Sequence, residues 1–526
     1  MLNDSPRRAF LQHSLALCAS TLVPSLGSIL WSSQAQAASL TARVTIAQGI
    51  LEGVQAPDGT RVWRGVPFAQ PPLGALRFKA PQPLTPWHAP RLADAYGPWA
   101  VQQPYPPVAQ DKPKGDEDCL YLNVWAPAKP AAQPRPVMLW MHGGAFVLGS
   151  GGDPRFDGAD YANRGDLVFV TINYRMGGFG YLAVSDEPGA ANLGLLDQIA
   201  ALQWVRDNIA AFGGDPHNVT VMGESAGAMS IGCLLGAPGA KGLFQRVIIQ
   251  SGGARPLFEG NEPAQVLQQV LKTAGLAPDQ AHQLQAMPVA QLNNLFIEVA
   301  EQSNTALLGG EAYHPAVDGH VLPQHPLENL SPVPALIGHC RDESGLFVAG
   351  KAVNLLEGLP ARVRGKVGEA MWADVLETYQ HTVAAGGDWQ RELFSDLFVG
   401  VPALRLADRL AAAGAPVWTY RFDYPQAGPY GPCHGSDIPY TFGLGQPGKG
   451  RGSFTAPEQA LSEQMRDSFI AFARTGNPQT AALPTWPRHD GQSLSYLRFD
   501  TPVSMGRDYL GKERRTAWQP VAVTAL

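Results

Sequence analysis

The chain has 526 residues, of which 45% are hydrophobic and 16% are charged, and its formal net charge is −6. This balance predicts a globular protein with a sizeable apolar core that needs neither disulfides nor metals to hold it together. The charges form no long basic run, so nothing resembles a nucleic-acid-binding surface and no nucleic acid is expected as a partner. The length allows one very large domain or several ordinary ones.

The N-terminus has the order of an export signal. Arg7 and Arg8 are followed by an apolar stretch and then by the small-residue segment Ala35-Gln36-Ala37. Paired arginines followed by Phe and Leu resemble a twin-arginine export signal of bacteria.

A transmembrane anchor is the alternative, but Pro24, Gly27 and several serines interrupt the apolar run before it could span a bilayer. We therefore expect an exported bacterial protein, periplasmic or secreted, without stable membrane insertion. In this interpretation residues 1–37 are the signal and residues 38–526 form a single large domain.

Short apolar runs alternate with longer helical patterns through the rest of the chain. Apolar residues at helical spacing predict one helix over residues 195–212, and a second helix should start at Ala226. The runs predicted as strands are residues 136–141, 167–172, 219–222, 246–250, 333–337 and 417–422. This alternation predicts an α/β fold with a mostly parallel central sheet and helices on both faces. In such sheets the chemistry collects at the carboxyl ends of the strands.

The segment Gly223-Glu224-Ser225-Ala226-Gly227 lies between a predicted strand and a predicted helix. A GxSxG pattern in this context indicates a serine nucleophile on a sharp turn, where small residues are needed on both sides. Helix N-terminal N–H groups there favour developing negative charge. A bare GxSxG also occurs by chance, but the flanking strand and helix favour the catalytic interpretation of Ser225.

A nucleophilic serine also needs a base, a third group that orients the base, and donors for the oxyanion. Residues 142–146 read His-Gly-Gly-Ala-Phe and follow a predicted strand upstream of Ser225. They match a glycine-rich oxyanion loop, and we expect the backbone N–H groups of Gly144, Ala145 and Ala226 to be the donors. The alternative for this segment is an ordinary glycine-rich turn, with His142 as a structural residue.

Ordered motifs from about residue 65 onward carry a family resemblance. They include GVPFA at 65–69, LRF at 76–78, EDCLYLNV at 117–124, NYR at 173–175, GLLDQ at 194–198 and FGGDP at 212–216, which leads to GESAG at 223–227. Through these motifs the chain resembles the type-B carboxylesterase family, which includes the para-nitrobenzyl esterases and is related to the cholinesterases. The resemblance implies an α/β-hydrolase fold with helical insertions that form a gorge or lid, and residues 261–310 are rich enough in Gln, Ala and Leu to supply them.

The resemblance also supplies the other two catalytic residues. Glu343 matches the family's triad carboxylate, with neighbouring Asp342 as the rival, and His434 matches its base. The order Ser225, Glu343, His434 is the hydrolase order of nucleophile, acid and histidine. Because the imidazole must be neutral to accept a proton, activity is expected to fall on acidification near the ordinary histidine pKa of ~6.5.

Scaffold features follow from the same resemblance. It implies buried ion pairs between Arg77 and Glu117 and between Arg175 and Asp197. Four cysteines remain after residue 37, at positions 119, 233, 340 and 433. The upstream partner that many relatives provide for Cys119 is absent. Two alternatives stay open for Cys340 and Cys433, which flank the acid and the base: a disulfide between them, or two buried thiols.

The sequence thus predicts a serine carboxylic ester hydrolase that acts through an acyl-enzyme intermediate on small to medium esters. It contains no dinucleotide fingerprint, phosphate-binding loop or metal cluster, so no cofactor is expected. A non-catalytic binding scaffold of the same fold is one alternative, and a hydrolase of amide or thioester bonds is another. The sequence does not indicate the oligomeric state.

Overall fold

The computed structural model describes residues 42–102, 115–129, 132–255, 258–302, 312–348, 355–428, 430–446, 450, 452–522 and 525. The export signal expected at residues 1–37 lies outside these ranges, and its cleavage stays a prediction. Within the ranges, no helix is long and apolar enough to cross a membrane. The same ranges contain no group of His, Cys, Asp or Glu side chains that could hold a metal ion.

The described residues form one large sheet of thirteen strands. The strands are β1 Ala42–Ile46, β2 Gly49–Gln55, β3 Arg61–Pro67, β4 Arg91–Leu92, β5 Tyr121–Ala126, β6 Arg135–Met141, β7 Val168–Ile172, β8 Gly214–Glu224, β9 Arg246–Gln250, β10 Ala335–Cys340, β11 Val417–Phe422, β12 Ser495–Phe499 and β13 Ser504–Arg507. Their spatial order is β1-β2-β3-β5-β7-β6-β8-β9-β10-β11-β12-β13, and β4 pairs with β2.

The centre of the sheet is parallel and its two flanks are antiparallel. All neighbouring pairs from β7 through β6, β8, β9, β10 and β11 to β12 are parallel. The pairs from β1 to β7 and the pair β12 and β13 are antiparallel. Every residue of β7 and of β10 is buried, as expected for parallel strands covered on both faces. The predicted α/β fold is therefore confirmed.

Helices cover the sheet and fill the long connections. The α-helices of the described residues are Ala159–Gly165, Gly177–Tyr181, Leu193–Asn208, Ala226–Gly236, Glu262–Ala274, Val289–Gln302, Gly345–Val348, Leu359–Val367, Glu369–Thr382, Trp389–Ser395, Val401–Ala412, Ile438–Phe442, Ala456–Thr475 and Lys512–Trp518. The helix predicted over residues 195–212 begins at Leu193 and passes into a 3-10 turn, Ile209–Phe212, that ends where Gly213 adopts a φ of 89°.

The strand before Ser225 is longer than predicted. It begins at Gly214 rather than at Val219, because Gly214 pairs with Arg135 across a local irregularity and the Arg135 N–H donates to the Gly213 carbonyl at 2.9 Å. The glycines that end the helical segment therefore lead directly into β8. The strand ends at Glu224, one residue before Ser225.

The predicted helical insertion is present downstream of β9. It contains Glu262–Ala274, the 3-10 segment Pro278–Ala286 and Val289–Gln302. Arg77 anchors this insertion, since its Nη1 donates to the carbonyl oxygens of Gln285 and Met287 at 2.7 Å each.

Both ion pairs implied by the resemblance are confirmed and buried. The Arg77 guanidinium contacts the two Glu117 carboxylate oxygens at 2.6 and 2.5 Å. The guanidinium of Arg175 binds both oxygens of Asp197 at 2.8 and 2.7 Å, and the Asp197 side chain is fully buried. Such bidentate pairs hold the two side chains in one relative orientation. Removal of one partner leaves the other charge buried without a counter-charge.

We expect Asp197→Ala to lower the free energy of unfolding by about 3–5 kcal/mol, because it leaves the Arg175 guanidinium buried without its carboxylate. Urea unfolding followed by intrinsic fluorescence measures the change. Asp207→Ala is the matched control, since the Arg206–Asp207 pair is half exposed, at 52% and 50%, and exposed pairs contribute only about 0–1 kcal/mol. Equal losses in the two variants would contradict a structural role for the buried pair.

Candidate active site

The GxSxG segment forms a sharp turn between β8 and the helix Ala226–Gly236. Ser225 occupies the turn itself with φ 54° and ψ −123°, a conformation that is strained for a residue other than glycine. A Cβ on Gly223 would lie 2.8 Å from the Met141 carbonyl oxygen, and a Cβ on Gly227 would collide with the same oxygen. Close backbone approach therefore explains both glycines.

The three predicted triad residues form one continuous hydrogen-bonded chain. His434 Nε2 lies 2.8 Å from Ser225 Oγ, and His434 Nδ1 lies 2.5 Å from Glu343 Oε2. The exposed fractions of Ser225, His434 and Glu343 are 9%, 7% and 1%. In this arrangement the imidazole can accept the serine proton on one nitrogen while the other nitrogen donates to the carboxylate.

The sheet brings these residues together from three separate segments. Ser225 follows β8, Glu343 lies just beyond the end of β10, and His434 lies in the loop after β11. A short parallel bridge joins the acid and base loops, with the Asp342 N–H donating to the Pro432 carbonyl at 3.0 Å. The carboxyl ends of adjacent parallel strands therefore set the spacing of the site.

The structure distinguishes Glu343 from its rival Asp342. Asp342 turns away from the imidazole and accepts from Arg391 Nη2 at 2.6 Å. Glu343 Oε1, in contrast, accepts from the Cys340 N–H and from Ser251 Oγ at 2.7 Å each. Burial opposes ionisation of Glu343, but His434 and the Ser251 hydroxyl outweigh it and lower the pKa of this carboxyl.

Two further buried carboxyl groups influence the imidazole, and the motifs alone gave them no role. Glu224 Oε1 lies 3.4 Å from His434 Nε2, and Asp437 is fully buried near the same ring. Burial raises the pKa of Glu224 to about 8 and the pKa of Asp437 to about 6. Burial would lower the pKa of His434, but the carboxyl groups of Glu224 and Glu343 outweigh it and raise that pKa above its ordinary value.

The glycine-rich loop after β6 lies directly against the nucleophile turn. A Cβ on Gly143 would lie 2.8 Å from the Glu224 carbonyl oxygen and 3.0 Å from the Ser225 Cβ, so glycine is needed for this close approach. The next residues, Gly144 and Ala145, have φ values of 118° and 54°. Ala226 is the first residue of the helix on the other side of Ser225. The residues predicted as oxyanion donors therefore flank the serine from two sides.

His142 is a buried structural residue of that loop. Its ring stacks on Tyr174 at 4.5 Å between centroids, and the Tyr174 hydroxyl donates to the His142 carbonyl at 2.8 Å. Burial lowers the pKa of His142 to about 4, so the ring stays neutral. Of the other histidines expected at surface or packing positions, His314, His325 and His339 are buried and His320 is exposed.

Aromatic side chains pack against the imidazole of His434. The rings of Phe347 and Phe398 lie 5.5 and 5.3 Å from the His434 ring. Phe398 belongs to a π-helical turn, Asp396–Gly400, of the kind that often occurs at functional sites. These rings contribute to the burial of the His434 side chain, which is 6% exposed.

The helical insertion lines a small open pocket beside the glycine-rich loop. Its lining includes Val147, Gly177, Phe179, Phe296 and Tyr313. The Gly177 N–H also donates to the Phe146 carbonyl at 2.7 Å, which ties this wall to the loop. The insertion therefore packs beside the glycine-rich loop.

The structure decides between the two alternatives left open for Cys340 and Cys433. Both are buried, and no disulfide joins them. Cys340 Sγ instead lies 3.6 Å from Ser436 Oγ, and burial raises the pKa of this thiol. Cys119 and Cys233 are also buried thiols. The alternative of two buried thiols is therefore the one found.

Comparisons with known proteins agree with this geometry. A family model described as "Carboxylesterase family" matches residues 40–518. The para-nitrobenzyl esterase of Bacillus subtilis (strain 168) is 37% identical over 489 residues, which cover 90% of this chain and 97% of that protein. Carboxylesterase 1C of Mus musculus is 34% identical over 503 residues, which cover 88% and 89%.

Solved structures give the same result for the fold. A structure titled as a PNB esterase superposes with a TM-score of 0.82 at 37% identity, covering 90% of this chain and 99% of the other. The predicted α/β-hydrolase fold and the predicted class of enzyme, a carboxylic ester hydrolase, are confirmed. The chain therefore belongs to the carboxylesterase family.

Proposed function

We propose that this esterase hydrolyses small to medium carboxylic esters through an acyl-enzyme intermediate, with Ser225 as nucleophile, His434 as general base and acid, and Glu343 as the group that orients His434. The observation that carries the proposal is the buried hydrogen-bonded chain from Ser225 Oγ through the His434 ring to Glu343, with separations of 2.8 and 2.5 Å. Acyl transfer by serine requires a nucleophile, a base and an orienting carboxylate that are hydrogen-bonded in this order.

In the first half of the reaction, Ser225 Oγ attacks the ester carbonyl carbon while His434 Nε2 takes the hydroxyl proton. The C–O bond to the alcohol then breaks, and His434 returns the proton to the leaving alkoxide. In the second half, water attacks the acyl group with the same nitrogen as base, and the acid leaves with Ser225 Oγ reprotonated. Glu343 stabilises the imidazolium that forms in each half.

The tetrahedral intermediates carry a negative oxygen that needs donors. Gly144, Ala145 and Ala226 are the proposed donors, through their backbone N–H groups on the two sides of Ser225. Each such donor typically lowers the barrier by about 3 kcal/mol. Amide and thioester hydrolysis would use the same groups, whereas a non-catalytic scaffold would have no use for this hydrogen-bonded chain. We also propose that the enzyme acts after export, on the basis of its N-terminal sequence.

We expect Ser225→Ala to lower kcat by at least about 10⁵-fold, because the residual rate then comes only from binding and the oxyanion donors. A panel of p-nitrophenyl esters with increasing acyl length, assayed with the wild-type and variant proteins, measures this loss and the acyl preference together. Labelling by a fluorophosphonate probe should disappear in parallel. Undiminished turnover by the variant would assign the chemistry to another residue.

We expect Glu343→Gln to lower kcat by about 10⁴-fold, as the loss of the orienting carboxylate does in other serine triads. Asp342→Asn is the matched control, because Asp342 bonds Arg391 and not the imidazole. Its kcat should stay within about twofold of wild type, since it removes only a partly exposed ion pair. The reverse ranking, measured as initial rates on p-nitrophenyl acetate, would make Asp342 the triad acid.

The pH profile of kcat/KM should fall on acidification with a midpoint above the ~6.5 expected from an ordinary histidine. A raised pKa means that His434 holds its proton to a higher pH, and the protonated ring cannot act as base, so activity is lost as pH falls through that raised value. Glu224→Gln removes a carboxyl facing Nε2 and should move the midpoint to lower pH. An unchanged midpoint would show that Glu224 does not act on the imidazole.

A further inference from the structure

Gln250, the last residue of β9, occupies a central place between the strands that carry the triad. Its backbone is paired with Glu224 at the end of β8 on one side and with Gly338 of β10 on the other. The Gln250 carbonyl accepts the Ser225 N–H at 3.0 Å, and its side chain is fully buried. The main chain of Gln250 therefore holds the strained nucleophile turn directly.

The side chain of Gln250 reaches in a different direction, to the segment that follows the catalytic histidine. Its Nε2 donates to Asp437 Oδ2 at 2.8 Å and to Thr441 Oγ1 at 3.0 Å. Asp437 is also fully buried, and its other oxygen, Oδ1, has no hydrogen-bond partner among the described residues. The Gln250 amide is thus a principal polar anchor of this carboxyl group.

Asp437 is closely coupled to His434 by the local backbone. Tight turns connect the two residues, since the Ser436 N–H donates to the Cys433 carbonyl at 3.0 Å and the Ile438 N–H donates to the Gly435 carbonyl at 3.2 Å. The helix Ile438–Phe442 begins directly after Asp437. A displacement of Asp437 would therefore also shift the imidazole of His434, because only a short, hydrogen-bonded stretch of chain separates the two residues.

We propose that Gln250 is a positioning residue for ester hydrolysis, which locks the nucleophile turn to the histidine loop by holding the Ser225 N–H with its carbonyl and Asp437 with its amide. The inference rests on the proposed function of Ser225 and His434. It has a physical reason: His434 is carried by a loop and not by a strand, and loops need such ties to hold reacting atoms in place.

The alternative role for Gln250 is purely structural, as a partner that satisfies a buried carboxyl group. The two roles differ in what they change. A structural residue contributes to the free energy of unfolding and leaves turnover by the folded protein intact. A positioning residue changes kcat at constant KM, because it affects the alignment of Ser225 and His434 and not the binding of substrate.

The test uses Gln250→Met in the full chain, which keeps the side-chain length and removes the N–H donors. We expect kcat to fall about 10- to 100-fold, the range for a misplacement on the order of 1 Å, with KM within about twofold of wild type. The rate of fluorophosphonate labelling of Ser225 should fall by a similar factor. Asp437→Ala should act alike, and the double variant should lose little more than either single one.

A control variant separates positioning from stability. Gln198→Met removes another fully buried glutamine, whose Nε2 donates to Ser230 Oγ at 3.1 Å away from the imidazole, and should lower the melting temperature without lowering kcat. Wild-type kcat in Gln250→Met, or multiplicative losses in the double variant, would overturn the proposal.

If Gln250→Met does not fold, Asp437→Asn and Asp437→Ala carry the test. Asparagine keeps an oxygen that can accept from Gln250, so its kcat, measured on the alkaline plateau of the pH profile, should exceed that of the alanine variant by about tenfold or more. Equal kcat values for the two Asp437 variants would overturn the proposed positioning role of Gln250. Failure of the proposed function itself would be recognised separately, by absent ester turnover in the wild-type protein or full turnover in Ser225→Ala.

Discussion

The proposed proton transfer from Ser225 to His434 requires that three segments far apart in sequence meet within hydrogen-bonding distance, and this requirement accounts for much of the architecture around the site. The separations of 2.8 and 2.5 Å are possible because β8, β10 and β11 end at the same edge of the sheet. The strand between β8 and β10 is β9, and the two residues at its end region, Gln250 and Ser251, bond the turn, the base loop and the acid. Parallel topology thus supplies the geometry that acyl transfer needs.

The electrostatics of the site follow from unequal hydrogen bonding among buried carboxyl groups. Glu343 accepts from a backbone N–H, a hydroxyl and the imidazole, and these donors outweigh the cost of burying its charge. Glu224 is also buried but has no comparable donors among the described residues, and its pKa rises to about 8. Glu343 therefore keeps its charge, as the proposed mechanism requires for stabilising the imidazolium, while Glu224 titrates around pH 8 beside Nε2.

Local sequence patterns predicted those elements whose conformation is determined by residues close in the sequence. The strand β11 and the start of the helix at Ala226 coincide with their apolar runs, and Ser225 is identified by the small residues that its turn demands. Sequence could not separate Glu343 from Asp342, because Arg391, which binds Asp342, lies 49 positions away in the chain. The contributions of Gln250, Ser251 and Asp437 also escaped prediction, since they depend on neighbours across the sheet. The motifs gave no sign of the π-helical turn Asp396–Gly400 beside His434.

The central claim is that the acyl group of the ester is transferred to Ser225 before water attacks it. This claim can be tested directly. The protein is mixed with an excess of p-nitrophenyl acetate, quenched in acid within the first turnovers and digested, and the peptides are examined by mass spectrometry. We expect an acetyl group on the peptide that contains Ser225, together with a burst of nitrophenol equal to the enzyme concentration. Turnover without a burst and without acylation of that peptide would contradict the acyl-enzyme mechanism.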